Sequence, residues 1–233
     1  MKKLTAILLI GLALVAGVTA QNTNWRPQPY FDGYTLQLPS TNSLYGYIWR
    51  QLFAPGQTNY AERSAWLGSL TPTNTEMASQ CFAARVYVEG KEGNTAAALA
   101  VIAQIPNENI RAECTMNLYC FTRNTNAYVD YCQNQVTNKT LWSVARLNVA
   151  YRYGRYLGLQ GRADERSDTA KAALEISQIS RVMPNTTRVF DWVSPARYPD
   201  YKEWLGTVIG NIDVTTNNAA FLGKLQSKYE LLP

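Results

Sequence analysis

Residues 88–106 read VEGKEGNTAAALAVIAQIP, a short turn between glycines followed by an alanine-rich segment and a proline. Ala96, Ala100 and Ala103 recur at intervals of four and three residues, so a helix places them on one face. Small residues on one face let another helix approach closely. Pro106 prevents the helix from continuing unchanged. The stretch therefore predicts the turn and second helix of a helical hairpin.

The segment before this turn predicts the first helix of the same hairpin. Asn74 or Thr75 is a candidate N-cap, and Gly90 is a stop signal. Apolar side chains recur at helical spacing on one side of the segment, at Met77, Cys81, Ala84 and Val88. Together the two segments predict one hairpin that begins near residue 73 and ends at the proline.

The same plan recurs twice further along the chain. Residues 107–123 and 124–136 predict a second hairpin, and residues 137–162 and 163–182 predict a third. The motif ASQC at 78–81 and the motif RAEC at 111–114 are offset by 33 residues. The apolar positions assigned to the interior of these helices are Ile110, Cys114, Leu118, Phe121, Tyr128, Cys132, Val136, Ala170, Ala173, Leu174, and Ile176 or Ile179.

A spacing of roughly 34 residues is the tetratricopeptide period. Over about residues 74–180 the chain resembles the tetratricopeptide-like repeat family, at Tyr87, Gly90, Ala96, Ala100, Ala103, Pro106, Tyr153, Leu157 and Gly158. Three features depart from the family: the first turn carries an extra residue, the second unit lacks the small-residue pattern, and the third unit is longer. The resemblance implies an all-α array of about three hairpins. An irregular all-α domain is the alternative.

Residues 1–20 have the layout of a secretory signal peptide of bacterial type. Lys2 and Lys3 form a basic start, an uncharged apolar run follows, and small residues precede the expected cleavage between Ala20 and Gln21. The apolar run is short for a membrane span, and no later segment is long and apolar enough to form one. The sequence therefore predicts a periplasmic or secreted protein without a membrane span after cleavage.

Two irregular, aromatic-rich flanks enclose the repeat body of residues 73–182. Residues 21–72 predict an arm rich in proline and aromatic residues, with short helices. Residues 183–233 predict a loop and C-terminal helices that cap the repeat stack. The interior face of the last helix is assigned to Ala220, Phe221, Leu225 and Tyr229. Most aromatic rings of the flanks are expected to be buried, although exposed rings would suit sugar stacking or a protein interface.

The chain contains no histidine, which excludes Ser-His-Asp and Cys-His catalytic sites and every histidine metal site. The sequence also lacks a Ser-x-x-Lys motif, a glycine-rich phosphate loop and a helical metal motif. The formal charge of +5 falls to +3 without Lys2 and Lys3, too mild for a dedicated nucleic-acid binder. We therefore expect no enzymatic activity, no metal or cofactor, and no nucleic-acid partner.

Four cysteines, an even number, predict two disulfides in an oxidising compartment. Cys114 and Cys120 share one predicted helix, in which six residues separate them by about 9 Å along the axis and place them on different faces. They therefore cannot bond to each other. The remaining connectivities are Cys81–Cys114 with Cys120–Cys132, or Cys81–Cys120 with Cys114–Cys132. Buried free thiols are the alternative.

Arg146 is a charged residue inside the apolar stripe of the longest predicted helix, which comprises Trp142, Ala145, Val149, Tyr153, Tyr156 and Leu157. A charge in such a stripe must be paired, hydrogen-bonded or exposed in a groove. We expect a carboxylate or several main-chain carbonyls within hydrogen-bond reach of the Arg146 guanidinium. The other interpretation is a clamp for the carboxylate or phosphate of a ligand.

Arg152, Arg155 and Arg162 lie on another side of this region, together with Tyr151. They form either a patch for an anionic polymer or lipid headgroup, or a solvated helix face. The candidate binding residues of the whole chain are Arg146, Arg152, Arg155, Tyr153, Trp192 and Trp204.

These features predict an exported, non-catalytic helical-repeat scaffold that binds a peptide or protein partner in the cell envelope on a concave helical surface. One alternative is a module that binds carbohydrate or another envelope polymer through the aromatic flanks. A second alternative is a glycan-cleaving enzyme, which needs two carboxylates that face each other across a cleft. Asp164 and Glu165 are adjacent in sequence, so on a helix they point in different directions.

Overall fold

A computed structural model describes residues 59–70 and 75–233. The predicted signal peptide, its cleavage site and most of the N-terminal arm therefore lie outside the described residues. The described part is all-helical, as predicted, and contains no strand but only an isolated bridge between Ile179 and Ile212. Within those same ranges, no helix combines the length and apolarity that a bilayer crossing requires.

The described residues form ten α-helices, and asparagine side chains cap three of them. The helices are α1 Tyr60–Ser69, α2 Thr75–Lys91, α3 Thr95–Ile102, α4 Glu108–Phe121, α5 Thr125–Val136, α6 Ser143–Leu159, α7 Ala163–Glu175, α8 Pro184–Asp191, α9 Tyr201–Gly210 and α10 Ala219–Glu230, with a 3-10 turn at Pro195–Arg197. Asn59, Asn107 and Asn124 each accept a hydrogen bond from the main-chain N–H three residues later, at the starts of α1, α4 and α5.

Helices α2 to α7 are joined in pairs by three turns of the same construction. In each turn the middle residue has a positive φ, with values of 79° at Gly93, 56° at Arg123 and 72° at Gly161. The N–H of the following residue bonds five residues back, from Asn94 to Glu89, from Asn124 to Tyr119 and from Arg162 to Leu157, each at 2.9 Å. This is the Schellman arrangement that ends a helix. The three turns have equal length.

The first helices of successive pairs pack side by side. Helix α2 packs against α4, α4 against α6, and α6 against α8. The second helices form the neighbouring layer, in which α5 contacts α7 and α7 contacts α9. A small apolar cluster lies between α2, α3 and α4, while the main core extends from α4 to α10. The layer of first helices carries the candidate site.

Most interior faces agree with the sequence pattern, but two helices are rotated relative to it. In α3 the buried residues are Ala98, Val101 and Ile102, whereas the alanines assigned to the interface, Ala96, Ala100 and Ala103, are exposed. Burial of the larger aliphatic side chains removes more apolar area from water, and this outweighs the regular alanine spacing. In α10 the buried residues are Leu222 and Leu225, while Ala220 and Tyr229 are exposed.

Arg123 occupies the one turn without glycine, so it carries a conformational cost that its two counterparts avoid. A non-glycine residue in the left-handed region costs roughly 1–2 kcal/mol, while the flexibility of glycine in the unfolded chain costs about 0.5–1 kcal/mol. We expect Arg123→Gly to raise the free energy of unfolding by about 0.5 kcal/mol. Gly93→Ala and Gly161→Ala, measured by the same denaturant titration, should each lower it by about 1 kcal/mol.

The two predicted disulfides are absent: none of the four cysteines, all in the described part of the chain, is bonded to another. Cys114 packs in the small cluster with α2 and α3, whereas Cys132 lies in the main core. Cys81 is buried, and Cys120 is half-buried. Each thiol is therefore used as a small apolar side chain, which is common for buried cysteine.

Thiol labelling tests this assignment directly. Burial raises the pKa of Cys114 and raises that of Cys132 to about 12, so few thiolates are present at these sites near neutral pH. We expect Cys120 to react first with a maleimide in the native protein, and all four thiols to react after unfolding without reductant. Fewer than four reactive thiols in the unfolded, unreduced chain would restore the disulfide prediction.

Candidate functional site

Arg146 is buried and fully hydrogen-bonded, as predicted, by main-chain carbonyls together with one serine hydroxyl. Only 1% of the residue is exposed. Its Nε and Nη2 atoms donate to the Asn138 carbonyl at 3.1 and 2.8 Å, and Nη2 also donates to the Leu141 carbonyl at 2.6 Å. Its Nη1 atom donates to the Ile176 carbonyl at 2.9 Å and to the Ser177 hydroxyl at 3.0 Å.

These five bonds use all five N–H groups of the guanidinium. Arg146 therefore fastens the segment before α6 to the end of α7, and it offers no donor to a ligand. Burial lowers the pKa of Arg146, because desolvation disfavours its charge. Trp142, assigned to the same buried stripe, is 50% exposed. It precedes the first turn of α6, where its N–H donates to Glu108 at 2.7 Å.

The other arginine candidates do not form one patch. Arg152 is half-buried and donates to the amide oxygen of the buried Asn117 at 2.8 Å. Arg155 is exposed, with its guanidinium 5.9 Å from the Tyr151 ring centroid. Arg162 forms an ion pair with Glu165 at the start of α7. Of these three arginines, only Arg152 lies between two first helices.

The remaining candidates are packing residues of the core. Tyr153 is 2% exposed, and its hydroxyl accepts a hydrogen bond from Gln133 at 3.1 Å. Trp192 is half-buried and stacks on Tyr151 with a centroid distance of 5.6 Å and an interplanar angle of 3°. Trp204 is 3% exposed, and its indole N–H donates to the Lys171 carbonyl at 3.3 Å. These aromatic rings fasten the C-terminal flank to the body.

A polar seam lies between the first helices α4 and α6, and sequence reasoning did not single it out. We define it as Asn109, Glu113 and Asn117 on α4 with Asn148 and Arg152 on α6. Residues four apart share a helix face, so the two rows oppose each other. The Asn148 amide nitrogen donates to Glu113 Oε1 at 2.6 Å and to Asn109 Oδ1 at 3.1 Å. The Arg152 bond to Asn117 completes the seam.

The seam opens into a cavity of about 190 Å³ beside α4, α6 and the start of α8. Asn109, Glu113 and Asn148 contribute polar surface to it, and Leu147 contributes apolar surface. The full lining is Asn109, Glu113, Val144, Leu147, Asn148, Gln178, Ile179, Ser180, Arg181, Met183, Asn185 and Thr186. We call this space the Glu113 cavity.

Glu113 is the acidic residue of this cavity. Burial raises the pKa of its carboxyl group, although the positive charge of Arg152 and the hydrogen bond from Asn148 act in the opposite direction. A carboxylate in such a place is stabilised when a cation or further donor reaches it. Burial therefore disfavours the ionised form of Glu113, and a cation that reached the carboxyl group would offset part of that cost.

The loop that forms one wall of the cavity is held in place by Asn218. This residue is fully buried. Its side-chain oxygen accepts from the Val182 N–H at 2.8 Å, and its amide nitrogen donates to the carbonyls of Ser180 and Asp213 at 3.1 and 3.0 Å. Bonds of this kind fix the wall before any ligand arrives, which reduces the ordering cost of binding.

Within the described ranges, no group of three or more histidine, cysteine, aspartate or glutamate side chains is placed to hold a metal ion. Comparison of the chain with protein-family models, curated proteins and solved structures gives no match in any of the three. The polar seam and the Glu113 cavity are therefore the features from which a function can be inferred.

Proposed function

We propose that this protein is an exported scaffold of tetratricopeptide-like helical hairpins that binds a peptide or protein partner in the cell envelope. The polar seam with the Glu113 cavity carries the proposal, because it is a preorganised recess on the layer of first helices. Asparagine side chains carry donors and acceptors that match the N–H and C=O groups of an extended peptide; in the seam Asn148 already uses both of its N–H groups, so it would contribute its amide oxygen. The three equal turns and the side-by-side first helices support the repeat assignment.

The alternative of a carbohydrate-binding module draws less support from the C-terminal flank. Its large aromatic rings pack on α6 or inside the core, at Trp192 and Trp204. A sugar-stacking surface needs exposed ring faces. For the glycan-cleaving alternative, the exposed carboxylates Asp164 and Asp168 both pair with Arg197 rather than facing across a cleft. Peptide recognition at the seam is therefore the better-supported function.

A peptide-display selection against the full chain tests the proposal. We expect the selection to enrich a set of peptides that bind the unmodified protein. Asn109→Trp places a bulky ring at the mouth of the seam and should abolish their binding. Asn126→Trp is the matched control, because both asparagines are the second residue of their helices and Asn126 is exposed on α5, away from the cavity.

The two variants distinguish peptide binding at the seam from peptide binding elsewhere on the protein surface. Retained binding by Asn126→Trp and loss by Asn109→Trp, with equal melting temperatures, supports peptide recognition at the seam. Enriched peptides that bind both variants equally would place the binding surface elsewhere on the molecule. A selection that enriches no binders would overturn the scaffold function itself.

A further inference from the structure

We infer that the Glu113 cavity is a pocket for a lysine side chain of the bound peptide, with the ammonium group at Glu113. This inference rests on the proposed peptide-binding function and adds the chemical class of the anchoring residue. The observations behind it are the hydrogen bonding of Glu113, the apolar walls, the size of the cavity and the charges that surround it.

The hydrogen bonding of Glu113 leaves one carboxylate oxygen available to a ligand. Among the described residues, Asn148 is the donor to this carboxylate, and it bonds Oε1. The second N–H of the same amide is occupied by Asn109. Oε2 therefore has no donor from Asn148, and an ammonium group can bond to it with charge assistance.

The same geometry favours lysine over arginine. A guanidinium binds a carboxylate most strongly with two parallel bonds, one to each oxygen. Asn148 already donates to Oε1, so a guanidinium bound in this way would have to share that oxygen with the amide. An ammonium group is a compact point charge with three donors and needs only one carboxylate oxygen together with neighbouring amide or hydroxyl oxygens. Asn109, Asn185 and Thr186 supply such oxygens in the lining.

The walls and volume also suit a lysine side chain. Val144, Leu147, Ile179 and Met183 line the cavity with apolar surface. A lysine buries its aliphatic stem along apolar surface while its charged end reaches a polar group. Pockets for drug-sized molecules measure about 300–1,000 Å³. A cavity of about 190 Å³ is therefore suited to one side chain.

Two arginines contribute positive charge near Glu113, at Arg152 and Arg181. Arg152 acts on Glu113 from α6, and it is bonded to Asn117. Arg181 lines the cavity but is exposed, so water and salt screen its charge. A metal ion is a poorer occupant, because calcium needs six to eight oxygen ligands.

Binding of short peptides to the full chain tests the inference. The probes are acetyl-Ala-Lys-Ala-amide, its arginine counterpart and its norleucine counterpart, which lacks the charge, measured by isothermal titration or NMR. We expect the lysine peptide to bind at least about tenfold more tightly than the norleucine peptide, because a charged hydrogen bond contributes roughly 1.5–3 kcal/mol. The arginine peptide should lie between them.

Two further measurements test whether the preference for the lysine peptide over the norleucine peptide depends on Glu113. Glu113→Gln should remove it, whereas Glu203→Gln, an exposed glutamate on α9, should leave it unchanged. Because burial disfavours the charged form of Glu113, a neutral glutamine is expected to leave folding intact. In the unmodified protein, lysine binding should weaken as the pH falls through the raised pKa of Glu113, because the carboxyl group then loses its charge, while norleucine binding should stay unchanged.

Equal affinities for the lysine and norleucine peptides would overturn the inference, as would a lysine preference that survives in Glu113→Gln. The display selection separates this failure from failure of the proposed function. Enriched peptides with a lysine at a fixed position support both the peptide-binding function and the lysine pocket. Enriched peptides without a basic anchor retain the scaffold function and reject the lysine pocket. A selection without binders rejects both.

Discussion

Arg146→Ala is expected to lower the free energy of unfolding by about 3 kcal/mol, the combined scale of buried acceptors left without a donor and of a cavity in the core. The substitution removes five hydrogen bonds and leaves the carbonyls of Asn138, Leu141 and Ile176 without this donor inside the protein. It also creates a cavity where a side chain with 1% exposure lay. Equilibrium urea unfolding, followed by far-ultraviolet circular dichroism, measures the change.

Arg155→Ala is the matched control for this measurement. Arg155 lies on the same helix and is exposed, so its removal should change stability by less than 1 kcal/mol. Arg146→Lys should fall between the two, because an ammonium group has three donors from a single point. If Arg146→Ala unfolds at the same urea concentration as the parent, the role of Arg146 as a clamp between α6 and α7 is wrong.

Gly154→Ala is expected to lower the free energy of unfolding by about 2 kcal/mol, the usual scale for overpacking a core. A Cβ atom at this position would lie 2.4 Å from Cζ3 and 2.8 Å from Cε3 of Trp192. The Trp192 ring cannot swing aside easily, because it stacks on Tyr151 at 5.6 Å and the Arg166 guanidinium lies 5.5 Å from its centroid. Thermal or urea unfolding measures the loss.

Two comparisons separate this clash from ordinary helix propensity. Gly223 lies inside α10, and a Cβ atom added there would meet nothing within 4 Å, so Gly223→Ala should stabilise the protein by about 0.5–1 kcal/mol. In a Trp192→Ala background, Gly154→Ala should likewise become neutral or stabilising. A destabilisation of equal size in both backgrounds would show that Trp192 is not the cause.

The fold class could be predicted from the sequence because most of the helices have a strong local signal. Helix α8 is an exception, since the sequence analysis assigned its residues to the loop that follows residue 182. Asparagine caps, left-handed turn residues and apolar spacing act within a few residues of each other, so a single sequence is enough to find them. Helix rotation is different, because it depends on what packs against the helix. In α3 the regular alanine spacing predicted that the alanine face is buried. The buried face is instead the one that carries Val101 and Ile102.

Arg146 could be predicted as a hydrogen-bonded charge because it stands alone in an apolar stripe. The polar seam could not, since Asn109, Glu113 and Asn148 are common surface residues whose importance comes from the pairing of two helices. Their one sequence signal is the four-residue spacing of Asn109, Glu113 and Asn117 on α4. The disulfide prediction failed because an even cysteine count carries no information on helix rotation.

The most direct measurement is an NMR titration of the full chain with a peptide from the display selection, followed through the asparagine side-chain amide signals. Peptide binding at the polar seam predicts that the signals of Asn109 and Asn148 shift in saturable fashion. The exposed Asn126 on α5 should stay unchanged. Saturable shifts confined to signals outside the seam and the Glu113 cavity would contradict peptide recognition at the seam.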